Sequence, residues 1–92
     1  MSLQGSIAIS LCGRDKDRTF IIVGVLDKDY VFIIDGKKRR IEKPKKKKLK
    51  HLRICCEDES ELATLLEENR LTNRTAAKIT ASYHKSLNNK KE

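Results

Sequence analysis

Lys37, Lys38, Arg39, Arg40, Lys43, Lys45, Lys46, Lys47, Lys48, Lys50 and Arg53 place 11 cations within 17 consecutive residues, with Glu42 the one acid among them. Ammonium and guanidinium groups at this density suit one task above others: neutralising phosphates and releasing the counterions condensed on a polyanion. Arg39, Arg40 and Arg53, joined upstream by Arg14 and Arg18, add planar groups that grip a phosphate through two bonds or stack on a base. Turnover chemistry has far less to work with. His51 and His84 are the only histidines, no Ser-His-Asp or Cys-His arrangement surrounds them, and the acids of the basic half fall mainly in turns. Cys12, Cys55 and Cys56 are odd in number and lack CxxC spacing. They predict reduced, partly buried thiols rather than a disulfide framework or a zinc site. The expectation is a non-enzymatic protein with no metal and no cofactor.

Across all 92 residues, 21 Lys and Arg stand against 13 Asp and Glu, a formal charge of +8. The excess is local: residues 1–56 carry net +9 and residues 57–92 net −1. Its sign points to nucleic acid first and an anionic membrane surface second. With 38% hydrophobic and 4% aromatic residues, the chain lacks the material for a large enzyme core around a deep, dry pocket. No apolar run approaches the roughly 18–20 residues that cross a bilayer, and the first residues lack the pattern of a secretory signal. A soluble, cytoplasmic protein is expected.

Whether the cations trail in a tail or lie on a folded surface depends on the elements around them. Ile7, Ile9 and Leu11 alternate with Ala8, Ser10 and Cys12, which predicts a half-buried strand. The polar stretch 13–18, opened by Gly13, reads as a loop. Residues 19–26 form a second predicted strand, with a bulge or bend at Gly24 that lets a small sheet curl. Asp27, Lys28 and Asp29 make a short turn. Residues 30–34 then alternate again, Tyr30, Phe32 and Ile34 on one face and Val31 and Ile33 on the other.

Asp35-Gly36 is a strong hairpin signal, leading into a short cationic edge strand over residues 37–41. Pro44 cannot donate to a ladder, so residues 42–48 read as a loop or irregular edge. Leu49, His51 and Arg53 alternate with Lys50, Leu52 and Ile54 in a fifth strand. Five short strands in about fifty residues predict a small closed or nearly closed barrel over residues 1–56. The basic run then lies between and within strands, held on a folded surface.

Beyond Cys56 the period changes to 3.6. Glu57, Asp58, Glu59 and Ser60 supply acids and a cap for a helix with Leu62, Leu65 and Leu66 on one face, ending near Asn69. Thr72 or Asn73 caps a second helix, with Ala76, Ile79, Tyr83 and Leu87 in an apolar stripe that docks on the barrel or on the first helix. The fold class is mainly β with C-terminal α: a five-stranded barrel, then two helices over residues 57–92.

Few aromatic residues are present to stack unpaired bases. Phe20, Phe32 and Tyr30 fall in strands, at least two of them expected in the core, which disfavours an aromatic platform for single strands. Phosphate and ribose contacts to structured RNA fit the composition better, although composition alone does not separate RNA from DNA. A protein-interaction module is the competing class, using the acidic start Glu57, Asp58, Glu59 and Glu61 with the Leu62, Leu65 and Leu66 stripe to dock a partner.

The stretch 5–18, Gly-Ser-Ile-Ala-Ile-Ser-Leu-Cys-Gly-Arg-Asp-Lys-Asp-Arg, followed by the apolar strand 20–26, resembles the KOW motif of ribosomal and transcription-associated proteins. Its continuation through Asp35-Gly-Lys-Lys-Arg-Arg-Ile-Glu-Lys-Pro-Lys-Lys-Lys-Lys-Leu-Lys-His-Leu52 looks like the KOW-containing large-subunit ribosomal protein family fourteen-e of archaea and eukaryotes, and most closely like its short bacterial relatives. The likeness covers residues 5–54, and the helical part matches only loosely. It implies an SH3-like β-barrel that binds ribosomal RNA, as a ribosomal or translation-associated protein. The implied contacts are Arg14, Lys16 and Arg18 from the loop, and Lys37, Arg39, Arg40, Lys43, Lys45, Lys46, Lys47, Lys48, Lys50 and His51 from the basic segment. Charge density adds Lys38 and Arg53. The family's loop typically reads Gly-Arg-Asp-Lys-Gly-Arg, and here Asp17 replaces the second glycine. If that position takes positive φ, Asp adopts it at modest cost, while its charge shifts the weight of phosphate binding onto residues 37–53.

Overall fold

A computed structural model describes residues 3–14, 16–56 and 60–89. Five strands, β1 (Ile7–Ser10), β2 (Thr19–Val25), β3 (Tyr30–Ile34), β4 (Lys45–Lys48) and β5 (Leu52–Cys56), precede α1 (Ser60–Glu67) and α2 (Asn73–Asn89). They form one antiparallel sheet in the order β4-β3-β2-β1-β5. Of the expected closed or nearly closed barrel, full closure does not form: the sheet is open, with β4 and β5 as its two edges. It must nevertheless roll. A flat sheet would hold its first and fifth strands about 19 Å apart, yet the only link between β4 and β5 is the 3-10 turn Leu49–His51, which spans about 6 Å. The irregularity between Ile22 and Gly24, where β2 shifts register against β3, bends the sheet at the predicted glycine.

Rolling gives the sheet two apolar faces, each with its own cluster. On the inner face Ala8, Phe20, Ile22, Val31, Ile33 and Leu52 pack together. On the outer face Ile7, Ile21 and Ile34, aligned across three strands by register, meet Leu62 of α1, Leu71, and Ala76 of α2. All three isoleucines are fully buried, each worth about 1.5–3 kcal/mol before entropy is charged against it. β1 is therefore buried on both faces at its start, with Ile7 and Ala8 both inaccessible, not half-buried as the alternation suggested. The helices supply what a sheet of this size lacks, a cover for its second face.

The fourth strand also moves. Asp35 Oδ1 accepts the amides of Lys37 and Arg39, at 2.8 and 2.9 Å, while the Arg39 carbonyl accepts those of Asp35 and Gly36. These bonds use up the backbone in a tight turn and leave no ladder for residues 37–41, which the Asp35-Gly36 hairpin signal predicts as a strand. The chain regains β geometry only after Pro44. Standing just before the first ladder residue, that proline loses nothing by lacking an amide. Residues 45–48, within the stretch expected as a loop or irregular edge, are the edge strand, and the predicted start of the fifth strand at Leu49 is the 3-10 turn.

The helices follow the periodicity closely. α1 ends in a Schellman turn, with Asn69 at φ 55° and the Arg70 amide donating to the Leu65 carbonyl at 2.8 Å. Thr72, one of the two candidate caps, receives the Thr75 amide on its hydroxyl. Leu65, Leu66, Ile79 and Tyr83 line the outer cluster. The candidate acids Glu57, Asp58 and Glu59 lie outside the described residues, as does residue 15, and the Ser60 and Leu87 side chains fall outside the described contacts.

Candidate nucleic-acid interface

β4 is four consecutive lysines, and its register fixes where each one goes. Lys48 pairs with Tyr30 and Lys46 with Phe32 on the outer face; Lys47 pairs with Val31 and Lys45 with Ile33 on the inner one. Such a strand is stable because β3 supplies the ladder and the apolar neighbours, while the lysine stems cover apolar surface and the ammonium groups reach water. Lys46 and Lys48 hold their ammonium groups 4.9 and 6.0 Å from the Tyr30 ring centroid. Lys47 spans the inner face in the other direction. A methyl built on Gly13 would stand 3.7 Å from its ammonium, so the 13–18 loop and the lysine strand, far apart in sequence, meet at one place.

That loop is tightly wound. Gly13 and Asp17 both take positive φ, 82° and 69°, so Asp17 adopts the conformation that a glycine would otherwise supply. The Asp17 amide donates to the Ser10 carbonyl at 2.8 Å, and the Ser10 amide to the Arg18 carbonyl at 3.0 Å. Arg14 and Lys16 are exposed on it. Arg18 turns inward instead: its guanidinium stands 3.6 Å from the carboxylate of Asp35, a side chain 6% exposed. Arg18 thus ties β2 to the 35–39 turn and serves the fold before any ligand.

Lys37, Lys38, Arg40, Lys43 and Lys50 are exposed, and Arg39 and His51 are half-buried. Arg53 is exposed but sits on β5, the other edge of the sheet, opposite Ile9. It is the expected site residue placed farthest from the lysine strand by sheet order. One acid of the cluster, Glu42, is engaged in holding the loop. Arg40 Nε meets Glu42 Oε2 at 3.1 Å, and the Asn73 side-chain amide donates to Glu42 while its oxygen accepts the Ile41 amide at 2.7 Å. Asn73, the other candidate for the cap, is a clamp that fixes the basic loop on the first turn of α2.

Arg40 and then Asn73 hold the Glu42 carboxyl below its ordinary value of 4.5. A carboxylate with a depressed folded pKa supports the native contacts above its unfolded pKa and withdraws that support as pH falls through the folded value. The clamp on residues 41–42 should therefore be intact at neutral pH and loosen only on acidification below 4.5. NMR titration of the Glu42 carboxyl should show a midpoint below that value, moving back up in Arg40→Ala. An unmoved midpoint would show that Arg40 does not hold it.

Two residues outside the expected set join this surface. Lys28 lines a groove with Asp29, Tyr30, Lys48, Leu49 and Lys50, and Tyr30 itself is half-buried on the outer face. Of the three strand aromatics only Phe20 is fully buried, one fewer than expected. Tyr30 and Phe32 pair with Lys48 and Lys46 on the outer face, outside both buried clusters, and alternation along β3 alone does not show where the cover of that face ends. Cys12 and Cys55 are free thiols, and among the described residues no His, Cys, Asp and Glu side chains cluster closely enough to hold a metal. No helix among the described residues is long and apolar enough to cross a membrane. No protein-family model and no curated protein matches the chain.

Proposed function

We propose that this chain is a non-enzymatic RNA-binding protein of the KOW type, a rolled SH3-like barrel with open edges that binds structured ribosomal RNA in the cytoplasm, on the ribosome or in translation. The observation that carries this reading is the lysine edge strand. Lys45–Lys48 is pinned by its ladder to β3, and Lys47 emerges beside the loop that carries Arg14 and Lys16. Four like charges along one strand repel each other, and a fold tolerates that cost for what a polyanion returns on binding. The protein-module reading has less support, because Leu62 is buried and Leu65 and Leu66 are half-buried against the protein's own outer cluster.

Binding by phosphate neutralisation has a defined signature. The logarithm of affinity for a structured ribosomal RNA fragment should fall linearly with the logarithm of salt, by roughly 0.7–0.9 per phosphate contacted. With six or more contacts, affinity should drop about a thousandfold between about 50 and 200 mM salt. A flat salt series, or no binding at the low end, would sink the reading. Equal competition by a DNA duplex would redirect it to general nucleic-acid binding, since A-form shape and the 2′-hydroxyl are what an RNA binder senses.

A further inference from the structure

On the outer face the cluster that α1 and α2 complete includes Val23 on β2, but on β3 it reaches only Ile34. Farther along β3 on the same face, Phe32 and Tyr30 are half-buried, beyond the cluster that α1 and α2 complete. Tyr30 is held firmly there. Its amide donates to Asp27 Oδ1 at 2.9 Å and its carbonyl accepts the Leu26 amide at 3.0 Å. Lys46 and Lys48 stand by its ring, and it forms one wall of a groove of about 510 Å³ shared with Lys28, Lys48, Lys50, Asp29 and Leu49. Contacts to the phosphates of a duplex need no aromatic wall. An unpaired nucleotide uses every part of this arrangement: a π-face for Tyr30, an apolar edge at Leu49, a phosphate for the three lysines, and a ribose hydroxyl or base amino group for Asp29.

We propose that this groove takes one unpaired nucleotide of the bound RNA, its base stacked on Tyr30 and its phosphate held by Lys28, Lys48 and Lys50. The proposal rests on the RNA-binding reading and narrows it to targets with a bulged or looped-out nucleotide beside a helix. Lys46 gives up its place over the ring when the base arrives and pairs with phosphate instead, exchanging an exposed cation–π contact for a stronger set of interactions.

Two hairpins of identical stem, one fully paired and one with a single-nucleotide bulge, test it at fixed salt. Wild-type protein and Tyr30→Phe should prefer the bulged hairpin by roughly 5- to 100-fold, the range that one stacked base supplies. Tyr30→Leu, which keeps apolar bulk but no ring, should lose that preference and bind the paired hairpin as before. In a Tyr83→Phe background, where Tyr30 is the only tyrosine left, the bulged hairpin alone should quench the fluorescence. Equal wild-type affinity for both hairpins, or a preference that survives Tyr30→Leu, overturns the proposal and leaves RNA binding standing. Failure of both hairpins to bind at low salt overturns both.

Discussion

Gly36→Ala should be the most damaging single-methyl change in this protein, lowering its stability by about 2–5 kcal/mol. Two costs combine. Gly36 has φ +81°, a conformation that costs an L side chain roughly 1–2 kcal/mol. A Cβ there would also overlap the Asn73 carbonyl oxygen and approach the Ala77 amide nitrogen to 2.6 Å and the Ala76 Cβ to 3.1 Å. The obstructing atoms are mainly helix backbone, which cannot swing aside as a side-chain tip could, so overpacking adds about 1–3 kcal/mol. Relief requires α2 to lift from the 35–39 turn, which also strains the Thr80 hydroxyl bond to the Asp35 carbonyl and the Asn73 clamp on Ile41. For a 92-residue chain, typical total stability is about 5–14 kcal/mol, so the variant should unfold at markedly lower denaturant. Gly24→Ala is the comparison, because its new methyl meets only Phe32 Cδ2 at 3.7 Å, an ordinary contact. Denaturant midpoints that shift equally for the two would show that α2 does not seat against the turn as described.

The second large effect is on binding. Lys38, Lys43, Lys46 and Lys50 are all exposed and spread over the 35–39 turn, the loop after it, β4 and the 3-10 turn. Replacing all four with Gln should leave the thermal midpoint unchanged or slightly raised, since mutual repulsion falls. If each meets a phosphate, the salt slope should shrink by about 3 to 3.5 and affinity for structured RNA at about 0.1 M salt should fall about a thousandfold. Arg18→Gln should behave in the opposite way, losing stability through Asp35 while the slope stays near its wild-type value. A quadruple variant that binds with unchanged slope would place the RNA elsewhere on the molecule.

Much of this arrangement was legible from residue types and spacing, and the failures share one cause. β3 and both helices follow their periodicities, the bulge falls at Gly24, and Asp17 takes the left-handed conformation required of it. The fourth strand lies several residues beyond its predicted place because two local signals, Asp35-Gly36 and Pro44, read on their own as the turn and the break of a simple hairpin. Asp35 instead spends its carboxylate on the turn's own amides and on Arg18, and Gly36 is needed less for hairpin geometry than for the close approach of α2. Neither demand can be seen within a ten-residue window, since Arg18 and Ala77 lie far away in sequence. The expectation that at least two of Phe20, Phe32 and Tyr30 lie in the core fails for a similar reason, with only Phe20 buried: alternation marks a face but not how far along that face the helices extend.

By itself, then, the sequence determined the class of elements, the concentration of +9 in residues 1–56, and the two helical stripes that would need a surface to cover. All three follow from period and charge, which are local properties. Only the tertiary structure decided that the lysines form a paired edge strand, that Lys47 reaches the loop at Gly13, that Arg18 belongs to the fold and that Tyr30 remains at the surface. Those outcomes depend on which strand supplies the ladder and where α2 ends its cover of the sheet, and long-range packing settles both.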